Sequence, residues 1–434
     1  MSELDRRQFL GSMIKPAAGA WAFAMLNPMG AKQALAAIRG KNGKPEIAQD
    51  ESFWFEVQQA YTADRSLVNL NNGGVSPSPA AVQEAMKRHL DYSNTAPVYS
   101  MWRILEPQRE TVRRRLARFH GCDAEEIALT RNASEGLEIC QYGFDLERGD
   151  EVLTTNQDYP RMINTFKQRE CREGIVMKQF SIPVPAEDDD EIVDLFEQNI
   201  TGKTKLILMC HMINLTGQIL PVEKVVRMAR KRGIPVIVDG AHTFAHFHFT
   251  AEDLDCDYFA TSLHKWLCAP HGTGMLYVKK DKIKNLWPLM AGQECDSEDI
   301  RKFEEIGTHP AANYLAIGDA LTFHQGIGST RKENRMLQLR DRWTKRLTAY
   351  DRVQLHTSLR AGKACGIATV QIKGVDSEAV TEHLWKQYRI LVTTIKHPEF
   401  EGVRVSPHVY TTIEEIDRFC DAMEDIIKHG VPDA

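Results

Sequence analysis

The sequence predicts an α/β fold, a mostly parallel seven-stranded sheet in a large domain followed by a smaller C-terminal α+β domain. Three observations predict it. Short apolar runs alternate with helical patterns from residue 127 to residue 278, as βα units do. After Thr308 the pattern changes to two long helical stretches and then to shorter strands and helices. The chain has 434 residues, 43% hydrophobic and 26% charged, which is enough to bury the cores of one large domain and a smaller one.

Ile127–Thr130, Glu151–Thr154, Ile175–Lys178, Lys205–Met209, Pro235–Val238 and Tyr258–Thr261 are the expected strands. They are short and apolar, as strands covered on both faces are. The segments 133–142, 161–173, 191–199 and 222–232 between them read as helices. Gly272–Val278 is a seventh strand, antiparallel because a short loop joins it to the sixth. Residues 311–325 and 331–350 are the long helices, and the domain boundary near residue 320 falls within a continuous helix. The expected division is 1–36 for export, 37–72 for an N-terminal arm, 73–320 for the large domain and 321–434 for the small one.

The N-terminus carries its own signal. Asp5-Arg6-Arg7-Gln8-Phe9-Leu10 precedes an apolar stretch, and Ala34-Leu35-Ala36 has the small-x-small form of a cleavage site. This order reads as a twin-arginine export signal, with the translocase as a transient partner and the periplasm as destination. Lys15, Pro16, Gly19, Asn27 and Pro28 interrupt the apolar stretch too often for a membrane span. The twin-arginine route carries folded proteins, so the nine cysteines, scattered without a C-x-x-C pair, fit folding in the cytoplasm before export. With 54 Lys+Arg against 59 Asp+Glu there is no basic excess for a nucleic-acid partner.

Ligand sites of parallel sheets lie beyond the carboxyl ends of their strands. Asp239 closes the run Val236–Val238, and Lys265 follows the next strand twenty-six residues later. A lysine and a carboxylate on one rim are what pyridoxal 5'-phosphate needs. The amine bonds its aldehyde, and the carboxylate keeps the pyridine nitrogen protonated so that the ring draws electrons from the substrate's α carbon. Asn132-Ala133-Ser134-Glu135-Gly136 opens a helix after an earlier strand, where N–H groups and the Ser134 hydroxyl suit a phosphate.

With these residues in order, the chain resembles the class V aminotransferases, in particular their isopenicillin N epimerase-like branch. The resemblance runs from about Leu70 to the C-terminus. It rests on Asn71-Asn72-Gly73-Gly74, Arg131–Glu135, Asp158-Tyr159-Pro160, Asn214–Gln218, Val238–His242, Ser262–Trp266, Gly307-Thr308 and Arg404–His408. It implies the fold-type I architecture of pyridoxal phosphate enzymes and a homodimer with sites at the subunit interface. It assigns Lys265 to the covalent link and Asp239 to the pyridine nitrogen. It gives Ala133, Ser134, Ser262 and His264 to the phosphate, with Thr308 reaching the partner's phosphate. Tyr159 would stack on the ring, His242 and Asn214 would lie near its 3-oxygen, and Arg404 would hold the substrate carboxylate.

The expected activity is that of an exported aminotransferase acting on an amino-acid-like amino group, for instance in a secreted metabolite such as a peptide siderophore precursor. Epimerase and β-lyase are the alternatives, because all three begin with removal of the α proton. Transamination comes first, since no second base for inversion is identifiable. Residues 389–403, before Arg404, hold no cysteine to accept sulfur, and Cys365 and Cys420 fall in a strand-like and a helical segment. That disfavours a persulfide-forming desulfurase. A binding protein that had lost the chemistry would have replaced Lys265 or Asp239, and both are present. His242, His246 and His248 are not read as a metal site, because the cofactor already uses Asp239 and His242. Tyr99, Trp102 and Arg103 are candidates for the substrate pocket.

Overall fold

A computed structural model describes residues 49–292, 294 and 297–431. The export signal expected at 1–36 lies outside the described residues, as does the arm before residue 49. No helix among the described residues is long and apolar enough to cross a membrane.

Seven strands form the central sheet: β2 (Ile127–Thr130), β3 (Glu151–Thr155), β4 (Val176–Phe180), β5 (Thr204–Cys210), β6 (Val236–Asp239), β7 (Tyr258–Ser262) and β8 (Gly274–Val278), with β1 (Val68–Asn69) lying apart from them. Their order is β2-β8-β7-β6-β5-β3-β4. β8 runs antiparallel to both of its neighbours, and the other pairs are parallel. This is the mostly parallel α/β sheet of the fold-type I enzymes.

Alternation of side chains explains why the strands read as unbroken apolar runs. Ile207, Met209, Val236, Val238 and Phe259 point into one hydrophobic core, while Leu206, Leu208, Ile237, Tyr258 and Ala260 point into the core on the opposite face. Both faces are covered by helices, so neither alternating set can be polar. β4 is the exception, an edge strand whose Val176 is exposed. Close approach also fixes a glycine in the helix Ala133–Gly143: a Cβ at Gly136 would stand 2.8 Å from the Ala260 side chain. The helix therefore lies hard against β7 and brings its N-terminus to the carboxyl rim.

The helix Ala311–Ile327 is continuous across residue 320 and contributes Ala311 to Leu321 to the core of the large domain. The chain turns at Gly328, at φ 90°, into the helix Ser329–Leu347. Beyond it β9 (Val353–Leu355), β10 (Ala368–Ile372), β12 (Thr393–His397) and β13 (Phe400–Val405) make an antiparallel sheet ordered β12-β13-β10-β9. β11 (Ile390–Leu391) pairs instead with β1, in parallel. Asn71 then bridges Ser406, so the segment from Val68 to Gly73 runs along the small domain before reaching the rim of the large sheet. Cys365 sits in the bend before β10 rather than in a strand, buried like Cys420 in the helix Ile413–His429.

Candidate active site

A cavity of about 340 Å³ opens where the carboxyl ends of β5, β6 and β7 meet the N-termini of the helices Ala133–Gly143 and Pro160–Glu173. Ala133, Ser134, Tyr159, Asn214, Asp239, His242, Ser262, His264 and Lys265 all line it. Arg404, on β13, reaches its edge from the small domain through the Asn214 carbonyl.

The lysine sits at the centre. Lys265 Nζ is 3.0 Å from His242 Nε2; the histidine is buried, and the half-buried lysine opens onto the cavity. Burial pushes the lysine down to about 8, helped by the charge of Arg404 and opposed by that of Asp239. Burial also pushes His242 well below its ordinary value, so the neutral ring accepts from the ammonium through Nε2. Its Nδ1 then carries the hydrogen and has no partner among the described residues. A buried donor left so is costly unless an oxygen completes it.

Asp239 ends β6, buried, with Oδ1 accepting from the Ala241 N–H at 2.9 Å. Burial raises its carboxyl to about 6, against the lowering influence of the Ala241 N–H and Lys265. The carboxylate is poorly solvated and would gain from a cationic partner.

Three groups meet at the N-terminus of the helix Ala133–Gly143. Asn132 caps it, accepting from the Glu135 N–H at 2.8 Å. Ser262 Oγ accepts from the Ala133 N–H at 3.0 Å, which leaves its own hydroxyl hydrogen to donate. His264 Nδ1 lies 3.0 Å from the Thr273 carbonyl, so Nδ1 bears the hydrogen. Burial lowers His264 to about 4, and the neutral ring must take up a proton before Nε2 can donate to an anion.

The loop carrying Tyr159 is fixed from below. Asp158 is buried and accepts from Thr154 Oγ1, Thr155 Oγ1 and the Thr155 N–H at 2.7 Å each, and from the Cys210 N–H at 2.8 Å. It ties β3 to β5 and starts the next helix at Pro160, with the partly exposed Tyr159 at its head.

Arg404 is buried without a carboxylate partner among the described residues. Its Nη1 donates to the Asn214 carbonyl at 2.9 Å and its Nη2 to Asn71 Oδ1 at 3.0 Å, while Nε has no acceptor. Burial lowers it to about 10, which leaves it cationic at neutral pH. The turn after Asn214 depends on Gly217, at φ 75°, where a Cβ would stand 2.3 Å from the Ile367 carbonyl.

Thr308 does not line this cavity. It is exposed on the loop after residue 304 and faces a second cavity together with Trp102, Arg109 and His309. Tyr99 and Trp102 are also exposed, and neither they nor Arg103 line the cavity around Lys265. His246 is occupied elsewhere: Nδ1 meets the His242 carbonyl, Nε2 accepts from the Gly366 N–H, and the ring stacks on Trp266 at 3.6 Å. Arg161 and Cys210 line the cavity without having been singled out from the sequence. A single arginine in a helix start gives no signal, and Cys210 reads as the last residue of an apolar strand.

Residues 68–419 match the family described as Aminotransferase class-V. The chain belongs to that family. It is 28% identical to isopenicillin N epimerase of Amycolatopsis lactamdurans over 394 residues, covering 86% of this chain and 99% of the relative. Among solved structures it superposes on apo cysteine desulfurase from Thermococcus onnurineus NA1 with a TM-score of 0.75 at 24% identity, covering 86% of this chain and 98% of that one. A C-DES variant with glycine covalently linked to its PLP cofactor gives a TM-score of 0.75 at 22% identity, covering 85% of this chain and 99% of that one. These two likenesses show the fold.

Pyridoxal phosphate is the cofactor of this fold and family, and the cavity fits it. The orphaned donor at His242 Nδ1, the desolvated Asp239 and the donors at the helix start are the partners that a phenolic oxygen, a ring nitrogen and a phosphate require.

Proposed function

We propose that this protein is a pyridoxal phosphate-dependent aminotransferase acting on the α-amino group of an amino acid or an amino-acid-containing metabolite. The observation that carries the reading is Lys265, half-buried and lowered to about 8 in one cavity with Asp239, His242 and the edge of Arg404. Bound there, the cofactor supplies an electron sink that makes the α proton acidic.

Arg404, through its unpaired Nε and the edge of its guanidinium, would hold the substrate carboxylate and fix the α carbon. Asp239, ionised above about pH 6, would keep the ring nitrogen protonated. Ser134, Ser262 and His264 would donate to the phosphate. Lys265, freed when the substrate amine takes its place, would remove the α proton as a neutral amine, with His242 holding Nζ on one side. One base acting from one side is enough for transamination, whereas inversion needs a second acid on the other face. Thr308, on its exposed loop, is suited to a partner subunit's phosphate in a homodimer.

Epimerisation is the second reading, favoured by the likeness to isopenicillin N epimerase along 99% of its length. A persulfide-forming desulfurase is disfavoured, since residues 389–403 lack cysteine and the thiols of Cys365 and Cys420 are buried. Export by the twin-arginine route would place the reaction in the periplasm, on a secreted metabolite such as a peptide siderophore precursor. Replacing Arg6-Arg7 by Lys-Lys in a fusion of residues 1–40 to a folded reporter should stop its export.

Incubation of the holoenzyme with amino compounds in deuterated water tests the reaction. A 2-oxo product with conversion of the cofactor to its amine form is the expected result. Inverted substrate carrying α-deuterium would establish the epimerase instead, and ammonia with a lost side group would establish a lyase.

A further inference from the structure

We propose that Asn71 is a positioning residue for Arg404: its neutral amide fixes the guanidinium while leaving the positive charge uncompensated, so that the substrate carboxylate completes the ion pair. This rests on the assignment of Arg404 to the substrate carboxylate and extends it to the residue that sets how strongly that charge is felt.

Arg404 differs from every other buried arginine among the described residues. Arg109 and Arg113 pair with Glu304, Arg169 with Glu173, Arg335 with Glu51 and Arg340 with Asp341. Arg404 has no carboxylate partner: Nη1 donates to a main-chain carbonyl and Nη2 to the Asn71 side chain. A guanidinium has donors only, so the Asn71 amide must turn its oxygen toward Nη2. Burying a charge without a counter-charge is costly, and here the cost shows in the lowered proton affinity of Arg404. Aspartate has the size and shape of asparagine. An ion pair at position 71 would therefore meet no steric obstacle, and the amide withholds it.

Asn71 is held in place by the segment that carries Arg404. Its N–H donates to Asn69 Oδ1 at 3.0 Å, and Asn69 Nδ2 donates to the Tyr410 hydroxyl oxygen at 3.0 Å. The Tyr410 hydroxyl donates to Asn72 Oδ1 at 2.6 Å, and Asn72 Nδ2 donates to the Ser406 carbonyl at 3.1 Å. Arg404, Ser406 and Tyr410 are neighbours in the chain, so one segment supplies the guanidinium and fixes its acceptor. Asn71 is absent from the lining of the cavity and acts on the substrate through Arg404.

The phosphate of the cofactor is the other anion to consider. Ser134, Ser262 and His264, assigned to it, follow β2 and β7, on one side of β6. Asn214, whose carbonyl receives Arg404, follows β5 on the other side. The test therefore measures both anions.

The wild-type, Asn71→Asp and Asn71→Ala holoenzymes are compared in calorimetric binding of butyrate, pentanoate and hexanoate, which are unreactive monocarboxylates, and in steady-state kinetics. Asn71→Asp keeps the acceptor and adds a counter-charge, whereas Asn71→Ala removes the acceptor alone. The expected result is that Asn71→Asp weakens the acids about tenfold or more and raises KM similarly with little change in kcat. It should do so by more than Asn71→Ala, with no fall in its midpoint of thermal unfolding and no change in the cofactor's dissociation constant. A merely structural Asn71 gives another order, Asn71→Ala harming binding as much as Asn71→Asp or more. That order, or a lowered midpoint for Asn71→Asp, overturns the proposal. So do equal affinities in the wild type and Asn71→Asp, and a wild type that binds none of the acids. A weakened hold on pyridoxal phosphate in Asn71→Asp with the acids bound as before would assign Arg404 to the phosphate and overturn it too. Failure of the aminotransferase reading looks different: no amino compound is turned over, while calorimetry still reads the order of acid affinities.

Discussion

Arg404→Gln separates the cost of the site from its use. Arg404 is buried, and burial takes its proton affinity from 12.5 down to about 10. At about 1.4 kcal/mol per tenfold, that gap is about 3 kcal/mol of unfavourable charge burial. The sign is that of a base whose folded-state affinity is lowered. The cost is present at every pH below about 10, including neutrality, and is relieved only as pH rises toward the unfolded value. Substitution by Gln removes it but also loses the bonds to the Asn214 carbonyl and Asn71 Oδ1, worth about 1 to 1.5 kcal/mol each. The two effects offset to within about 1 kcal/mol, so the substrate-free holoenzyme should unfold within about 3 °C of the wild type. Substrate binding has no such offset. Loss of a charge-assisted contact to a carboxylate in a desolvated site costs about 3 kcal/mol, or about a hundredfold in kcat/KM, expressed chiefly in KM. Steady-state kinetics and thermal unfolding of the same preparations check both halves. An unchanged KM for every carboxylate substrate would refute the assignment. A drop of 10 °C or more, by about the scale above, would show that Arg404 is a structural residue instead.

Lys265→Ala should abolish turnover and remove the site at which borohydride fixes the cofactor to the chain, as peptide mapping would reveal. Reconstitution of the wild-type apoenzyme should quicken as pH rises through about 8, because the neutral amine is the nucleophile, and a flat profile would contradict the lowered lysine. Asp239→Asn should lower kcat by about a hundredfold or more and abolish the weakening of cofactor binding expected as the wild-type carboxyl protonates below about pH 6. The pH dependence of the cofactor's dissociation constant, measured for both proteins, decides it. Glu304→Gln tests the scaffold under Thr308. Glu304 pairs with Arg113 at 2.5 Å and Arg109 at 2.8 Å, and accepts from the Leu129 N–H at 2.6 Å. Leaving two buried guanidiniums short of a counter-charge should cost about 3 kcal/mol by denaturant unfolding.

What the sequence made legible has one physical origin. A strand covered on both faces must be apolar throughout, so each run from Ile127 to Val278 announces itself, and the residue after it falls on the ligand rim. Asp239, Lys265 and the Asn132–Gly136 helix start are legible because their place is set by the strand that precedes them. β4 shows the limit: at the edge, with Val176 exposed, its pattern is weaker, and the observed strand is displaced toward Phe180. Contacts between distant segments leave no such trace. Nothing in local pattern says that Asn71 will accept from Arg404, since 333 positions separate them and the meeting depends on β1 pairing with β11 and Asn71 bridging Ser406. That meeting, and with it the placement of the Arg404 guanidinium, belongs to the assembled fold and to no single segment of the chain.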